Sequence, residues 1–237
     1  MEEYKIQQKP EWISYDEIVD VLKDAHTDTA DKGMHFTALT QTPEETEKRV
    51  LEHNGVFFVA LSQDNELLGV GAILFHKKGH SWYNRNKPYA AITMVGVRKK
   101  VKGKGISNGI YREMEKLGFS RVNILTMNTA ENNKIVLESN FRHGWKYVDV
   151  KSWSNTDFYS IAMAKWKDGC PYHKLFLQIM YKERQIMTHL IFKENGEYRM
   201  LLSAIRNIRN IGSGIRKCIL FFIYISGVLD KRTCCLF

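Results

Sequence analysis

The sequence predicts a mixed α/β (α+β) domain over residues 1–169, followed by a basic, apolar and helical C-terminal extension over residues 170–237. Three observations predict this. Segments of strand and helix period follow one another up to residue 166 with no internal repeat. Hydrophobic residues make up 44% and aromatic ones 12%, enough to pack an interior and too many for a disordered chain. The net charge of +9 is uneven: residues 1–169 carry 24 basic and 22 acidic side chains, and residues 170–237 carry 11 and 4.

The elements read as follows. "EYKIQQ" is a strand, and Ser14 with Glu17 three residues on forms a capping box that opens a helix to about Ala25. A second helix has Thr42 as N-cap, Pro43 at the first position, Glu45 at the third and Asn54-Gly55 as its stop. "VFFVALS" and "LLGVGAILF" flank the polar turn Gln63-Asp64-Asn65-Glu66 as an antiparallel hairpin. After a polar stretch from His76 to Pro88, "YAAITMVGV" is an apolar run of strand length. Ile106, Ile110, Met114 and Leu117 then recur at helical spacing, with Gly118 as the C-terminal stop. "RVNILTM" is a strand, "TAENNKIVLESN" a helix, and "WKYVDVKSWS" with "DFYSIAMAKW" a closing strand pair.

Between "YAAITMVGV" and its helix lies "VRKKVKGKGISNG", Val97 to Gly109. A strand feeding a glycine-rich loop and then a helix holds phosphates well, because the first helical amides lack intrahelical partners and carry partial positive charge. Arg98, Lys99, Lys100, Lys102 and Lys104 add attraction for an anion. Residue types alone leave three readings open: an anionic cofactor site, a nucleic-acid contact and a basic surface turn.

The stretch "MVGVRKKVKGKGISNGIYREMEKLGF" resembles the acyl-CoA loop of the GNAT acetyltransferase superfamily, where a strand ends in valine and an Arg/Gln-x-x-Gly-x-Gly/Ala motif opens the next helix. Counted from Val97, the motif falls on Lys102, Gly103, Lys104, Gly105, Ile106 and Ser107; a second register, Lys100 to Gly105, fits the glycines better and the valine spacing worse. Asn133, with Asn132 as a near substitute, and Gly144-Trp145 eleven residues later continue the resemblance, as does the order of elements from Tyr4 to about Trp166.

The resemblance implies a GNAT-like mixed, mostly antiparallel central sheet flanked by helices. It implies acetyl-CoA as acyl-donor substrate, held by Val95, Val97, Lys102, Gly103, Lys104, Gly105, Ile106, Ser107, Asn132 and Asn133. It also implies two splayed strands that leave amides of Thr93 to Val97 for the thioester arm, with Gly96 easing close approach. The reaction it implies moves an acetyl group to a primary amine of a small molecule, an amino sugar being one acceptor, by direct attack in a ternary complex.

Two catalytic groups common in the family have no counterpart. The strand before the loop offers only Thr93 where a glutamate is frequent, so His76, His80, Asp28, Asp31 and His35 are the candidate bases. The position of the frequent tyrosine acid is Asn140 or Ser139, which leaves Tyr147 or Tyr159, or unassisted departure of the thiolate. No metal is expected, because His76 and His80 lack a third ligand.

Cys170, Cys218, Cys234 and Cys235 have no paired spacing and read as free thiols, and the acidic, polar start "MEEYKIQQKPEW" makes a cytoplasmic location the default. In the extension, Leu201, Ala204, Ile205, Ile208, Ile211 and Ile215 share one arc of a helix beside Arg206, Arg209, Arg216 and Lys217. The apolar "CILFFIYISGVL" after it is shorter than the roughly 20 residues that span a bilayer. A helix docked on the body, a homodimer contact and a peripheral anchor on anionic lipid are its three readings. Two other function classes stand beside the enzyme: an acyl-CoA-binding regulatory or scaffold protein without turnover, and a binder of nucleic acid or anionic membrane through loop and tail, with nucleic acid ranked last.

Overall fold

The computed structural model describes residues 4–30, 37–151 and 158–192. Seven strands, β1 (Tyr4–Gln8), β2 (Val56–Ser62), β3 (Leu67–His76), β4 (Tyr89–Val97), β5 (Ile124–Ala130), β6 (Lys146–Lys151) and β7 (Ser160–Trp166), form one sheet in the order β1-β2-β3-β4-β5-β7-β6. Every neighbouring pair is antiparallel except β4 and β5. The sheet is therefore mixed and mostly antiparallel, as the resemblance implied.

Both faces of its centre are covered, which is why "VFFVALS" and "LLGVGAILF" read as nearly unbroken apolar runs. Phe58, Ala60 and Ile73 face one core with Ile106, Ile110 and Met114 of α4 (Ile106–Arg121). Phe57, Val59, Val70 and Leu74 face the other with Ile18, Val21 and Leu22 of α1 (Tyr15–Ala30) and Val50 of α3 (Pro43–Glu52). Between α1 and α3 lies the single turn α2 (Thr37–Thr40), and α5 (Lys134–Arg142) follows β5.

Both sequence-read caps form. The Ser14 amide donates to the Glu17 carboxylate at 2.8 Å, and the Glu17 amide donates back to the Ser14 hydroxyl at 3.2 Å. Thr42 and Glu45 exchange the same pair of bonds at the start of α3. Two boundaries differ from expectation. The first helix continues past Ala25 to Ala30, because its acidic side chains find basic partners outside the helix. Gly118 lies inside α4 rather than ending it: a Cβ there would meet Leu125 Cδ2 at 2.5 Å and Ile73 Cδ1 at 2.8 Å, so glycine lets the helix press on the sheet.

The extension begins with α6 (Lys174–Phe192), which packs on β6. Leu177 joins a small core with Tyr83, Val148, Ala162 and Ala164, Tyr181 lies 5.4 Å from the Tyr147 ring, and Arg184 faces Asp149 at 3.6 Å. The helix read over residues 201–217, the apolar run after it, and Cys218, Cys234 and Cys235 lie outside the described residues. No helix among the described residues is long and apolar enough to cross a membrane.

Candidate active site

The site starts from an irregularity in β4. Opposite β3, Gly96 pairs with Val70 and Thr93 with Ala72, so Met94 and Val95 together face Gly71. This β-bulge places Met94 at φ +50°, a left-handed conformation that costs an ordinary residue roughly 1 kcal/mol or more. The buried Met94 side chain holds its place in the α1/α3 core, where its sulfur accepts from Gln41 Nε2 at 3.4 Å. The bulge also switches the strand's faces. Ala90 and Ile92 point into the α4 core, whereas after the bulge Val95 and Val97 do so, and Gly96 turns to α1.

On its other edge, β4 pairs with β5 only from Ala90↔Leu125 to Ile92↔Met127. Beyond Ile92 the two strands separate, as expected of a site taking an extended thioester arm between them. The reason for Gly96 is different from the expected one: a Cβ there would stand 3.0 Å from Ala25 Cβ and 3.1 Å from Leu22 Cδ2, so the close approach is to α1.

The glycine loop follows β4 directly. A 3-10 turn (Lys99–Val101) buries Val101 under the sheet, and Gly103 and Gly105 then take φ of +83° and +81°. Gly105 is the N-cap of α4 and offers no side-chain cap, so the amides of Ile106, Ser107 and Asn108 have no intrahelical acceptor. A Cβ at Gly103 would meet nothing within 4 Å, so there is open space over the loop.

The basic side chains of this loop do more structural work than sequence suggested. Arg98 meets Asp20 at 2.9 Å, Lys99 and Lys102 meet Asp28 at 2.6 and 3.1 Å, and Lys100 pairs with Glu66. The Lys99 amide donates to Asp24 at 2.8 Å, and Arg98 and Lys102 also donate to the carbonyls of Leu67 and Ala25. Asp20, Asp24 and Asp28, spaced one turn apart on α1, thus clamp the loop. Lys99 and then Lys102, by hydrogen bonds, hold the Asp28 carboxyl below its usual range. Much of the loop's charge is already matched, and its backbone amides are what it presents.

Splayed strands and loop open into one cavity of about 1190 Å³. Val95, Val97, Lys102, Gly103, Gly105, Ile106, Ser107, Asn132 and Asn133 line it; Lys104 does not. Asn133 caps α5, its side chain accepting from the Val136 amide at 3.4 Å. Ser139 and Asn140 also line the cavity, where the Asn140 amide donates to Met127 Sδ at 3.0 Å.

Of the candidate bases and acids among the described residues, Asp28 alone lines the cavity. His76 stacks on Tyr89 at 4.6 Å and lies 4.4 Å from His53, outside the cavity lining. Burial, then the charges of His53 and Arg49, push its pKa down to about 4. His80 is exposed on the β3–β4 connection, and Tyr147 is packed between Phe141 and Tyr181. Tyr159 is outside the lining, its amide bonded to Glu131 at 3.3 Å. Asp28 belongs to the loop clamp, and Asp31 and His35 lie outside the described residues. Among the described residues no group of three or more His, Cys, Asp or Glu could hold a metal.

Among the lining residues that sequence reasoning missed are His26, Tyr111 and Arg49. His26 donates a ring N–H to the Val95 carbonyl, and burial, opposed by that bond and reinforced by Lys102, lowers its pKa. It continues the stripe Ile18, Leu22, Ala25 of α1, a signal visible had the helix been extended. Tyr111 is held protonated, pushed up to about 12 by burial and then by Glu115.

A family model for the acetyltransferase (GNAT) family matches residues 16–138. Solved structures share the fold at low identity. One from Acinetobacter baylyi ADP1 is 14% identical, covering 73% of this chain and 98% of that one, with a TM-score of 0.56. A GNAT-family acetyltransferase of Streptococcus agalactiae 2603 is 14% identical over 69% and 95% of the two chains (TM-score 0.54). A PaiA N-acetyltransferase of Thermoplasma acidophilum, solved in complex with coenzyme A, is 13% identical over 69% and 99% (TM-score 0.51). A search among curated proteins gives no match.

Proposed function

The chain belongs to the acetyltransferase (GNAT) family, and from that premise we propose that it transfers an acetyl group from acetyl-CoA to a primary amine of a small molecule, an amino sugar among the acceptors, by direct attack in a ternary complex. One observation carries the reading. The separation of β4 from β5 opens into the same cavity as the uncapped start of α4, so a thioester arm and its pyrophosphate can be held by one continuous surface.

The residues present fit acetyl-CoA. Amides at Ile106 to Asn108 suit a pyrophosphate, and the space over Gly103 leaves it room. When bound, acetyl-CoA supplies an acyl carbon already activated by a thiolate leaving group of ordinary pKa about 8.5. The protein then has to orient that carbonyl, align the amine and take its proton. An alkylammonium of ordinary pKa costs about 4 kcal/mol to deprotonate at pH 7.

His26 is the group suited to that task. A neutral imidazole that donates one N–H to Val95 carries its lone pair on the other nitrogen, and its lowered pKa keeps it neutral at pH 7. The acceptor nitrogen forms the new N–C bond as the C–S bond breaks; His26 takes the ammonium proton and passes it to solvent. Replacing His26 with Gln is expected to lower kcat/KM by about 100-fold or more. The acid limb of its pH profile, below pH 6.5 in the wild type, should vanish with acetyl-CoA affinity unchanged. An unaltered profile rejects the assignment.

The reading itself is tested by calorimetric titration of acetyl-CoA, followed by thiol release across an amine panel. Saturable binding with thiol release supports it, and no binding refutes it. Binding without release would favour a regulatory acyl-CoA binder. That second reading draws on Asn140 and Ser139, neither a proton donor to a thiolate, at the position of the family's tyrosine.

A further inference from the structure

The cavity has two ends of different charge logic. At the loop end the cations Arg98, Lys99, Lys100 and Lys102 are engaged by Asp20, Asp28 and Glu66. At the other end stands Arg49 of α3, also a lining residue. Its charge acts on His76, which pairs with Tyr89 at the start of β4, the end of that strand remote from the glycine loop. Gln41, bonded to Thr46 at 2.6 Å and to Met94 Sδ, closes the same region, and Thr93 is the polar side chain of the strand beside it.

Arg49 forms no ion pair with a described residue, and the only carboxylate among the described lining residues is Asp28, already shared by Lys99 and Lys102. A guanidinium facing a cavity with no uncommitted anion opposite it among the described residues is a fixed positive charge presented to whatever enters there. Planar donors of this kind recognise carboxylates and phosphoryl groups in a bidentate manner and repel a second cation.

Building on the acetyl-transfer reading, we infer that the acceptor is an amine that carries its own anionic group, a carboxylate or a phosphoryl, which Arg49 binds at the end of the cavity away from the glycine loop. The anion then anchors the acceptor with its amine toward β4 and the acyl group. Polyamines, with several ammonium groups and no uncommitted carboxylate among the described lining residues to meet them, are rejected.

The test uses the full chain. Acetyl-CoA binding is measured first by calorimetry, in the wild type and in Arg49→Gln and Arg49→Lys. Initial rates are then compared for amino acids and aminoalkyl phosphates, each against its neutral amide or alcohol counterpart, with spermidine as the polycation. The wild type should prefer one anionic class over its neutral partner by about 10-fold or more, the range of a charge-assisted bond. Arg49→Gln should erase the preference through KM with kcat little changed, and Arg49→Lys should restore part of it. A carboxylate preference and a phosphoryl preference identify the two sources separately. Turnover of neutral amines or spermidine at least as fast, turnover of neither anionic class, or a preference that survives Arg49→Gln overturns the inference while acyl-CoA binding stands. Absence of acetyl-CoA binding removes both this inference and the reading beneath it.

Discussion

The starts of α3 and α4 solve the same problem in opposite ways. At α3, Thr42 and Glu45 satisfy each other's amides at 3.2 and 3.0 Å, and Pro43 removes a further donor. At α4, Gly105 supplies no side chain, and the amides of the following turn have no intrahelical acceptor beside a cavity. The first arrangement spends its donors on stability; the second leaves them unspent beside the cavity. Cap chemistry therefore distinguishes a structural helix start from a receptive one.

The strongest way to break this contrast is a charge at Ser107. Ser107→Asp should weaken acetyl-CoA binding by about 100-fold, since like charges brought together cost several kcal/mol. The same carboxylate should leave thermal stability equal or raise it by about 0.3–1 kcal/mol, because it faces the positive end of α4. Calorimetry and thermal melts read the two signs separately, and unchanged affinity would deny α4 its receptive role. Thr42→Ala sharpens the other side: denaturant unfolding should show a loss of about 1 kcal/mol with acetyl-CoA affinity unaltered.

The smallest effect is a pH dependence confined to the α1/α3 side. His26 and His76 both have folded pKa values below the ordinary 6.5, so the unfolded chain binds more protons in that window. Stability should fall as pH drops below 6.5 and level off near pH 4, by about 1 kcal/mol once solvent screening of half-buried His76 is allowed for. His76→Gln should flatten part of that slope in unfolding measured against pH, and an identical slope would contradict the assigned burial.

Much of this was legible where the physics is local. Ser14 and Thr42 with their glutamates announce two helix starts, and Gly103 and Gly105 mark a loop needing positive φ. What escaped depends on distant partners. Gly118 reads as a stop until Leu125 and Ile73 are seen against it. Arg98, Lys99 and Lys102 read as an anion patch until Asp20 and Asp28 are brought alongside, although the four-residue spacing on α1 was visible. His26 escapes because the first helix, read only to about Ala25, runs on to Ala30. The bulge left no trace at all: burial in "YAAITMVGV" alternates without interruption while the faces exchange.

That exchange makes β4 a strand read in two phases. Before Met94 the even-numbered residues meet α4, and after it the odd-numbered ones do. Flattening the bulge without removing a residue would impose a single phase, turning Val95 and Val97 toward α1 and Gly96 toward α4. The strand's length is thus as much a part of its information as its composition. Any chain built on this plan has to conserve a count here, even where it is free to change the letters.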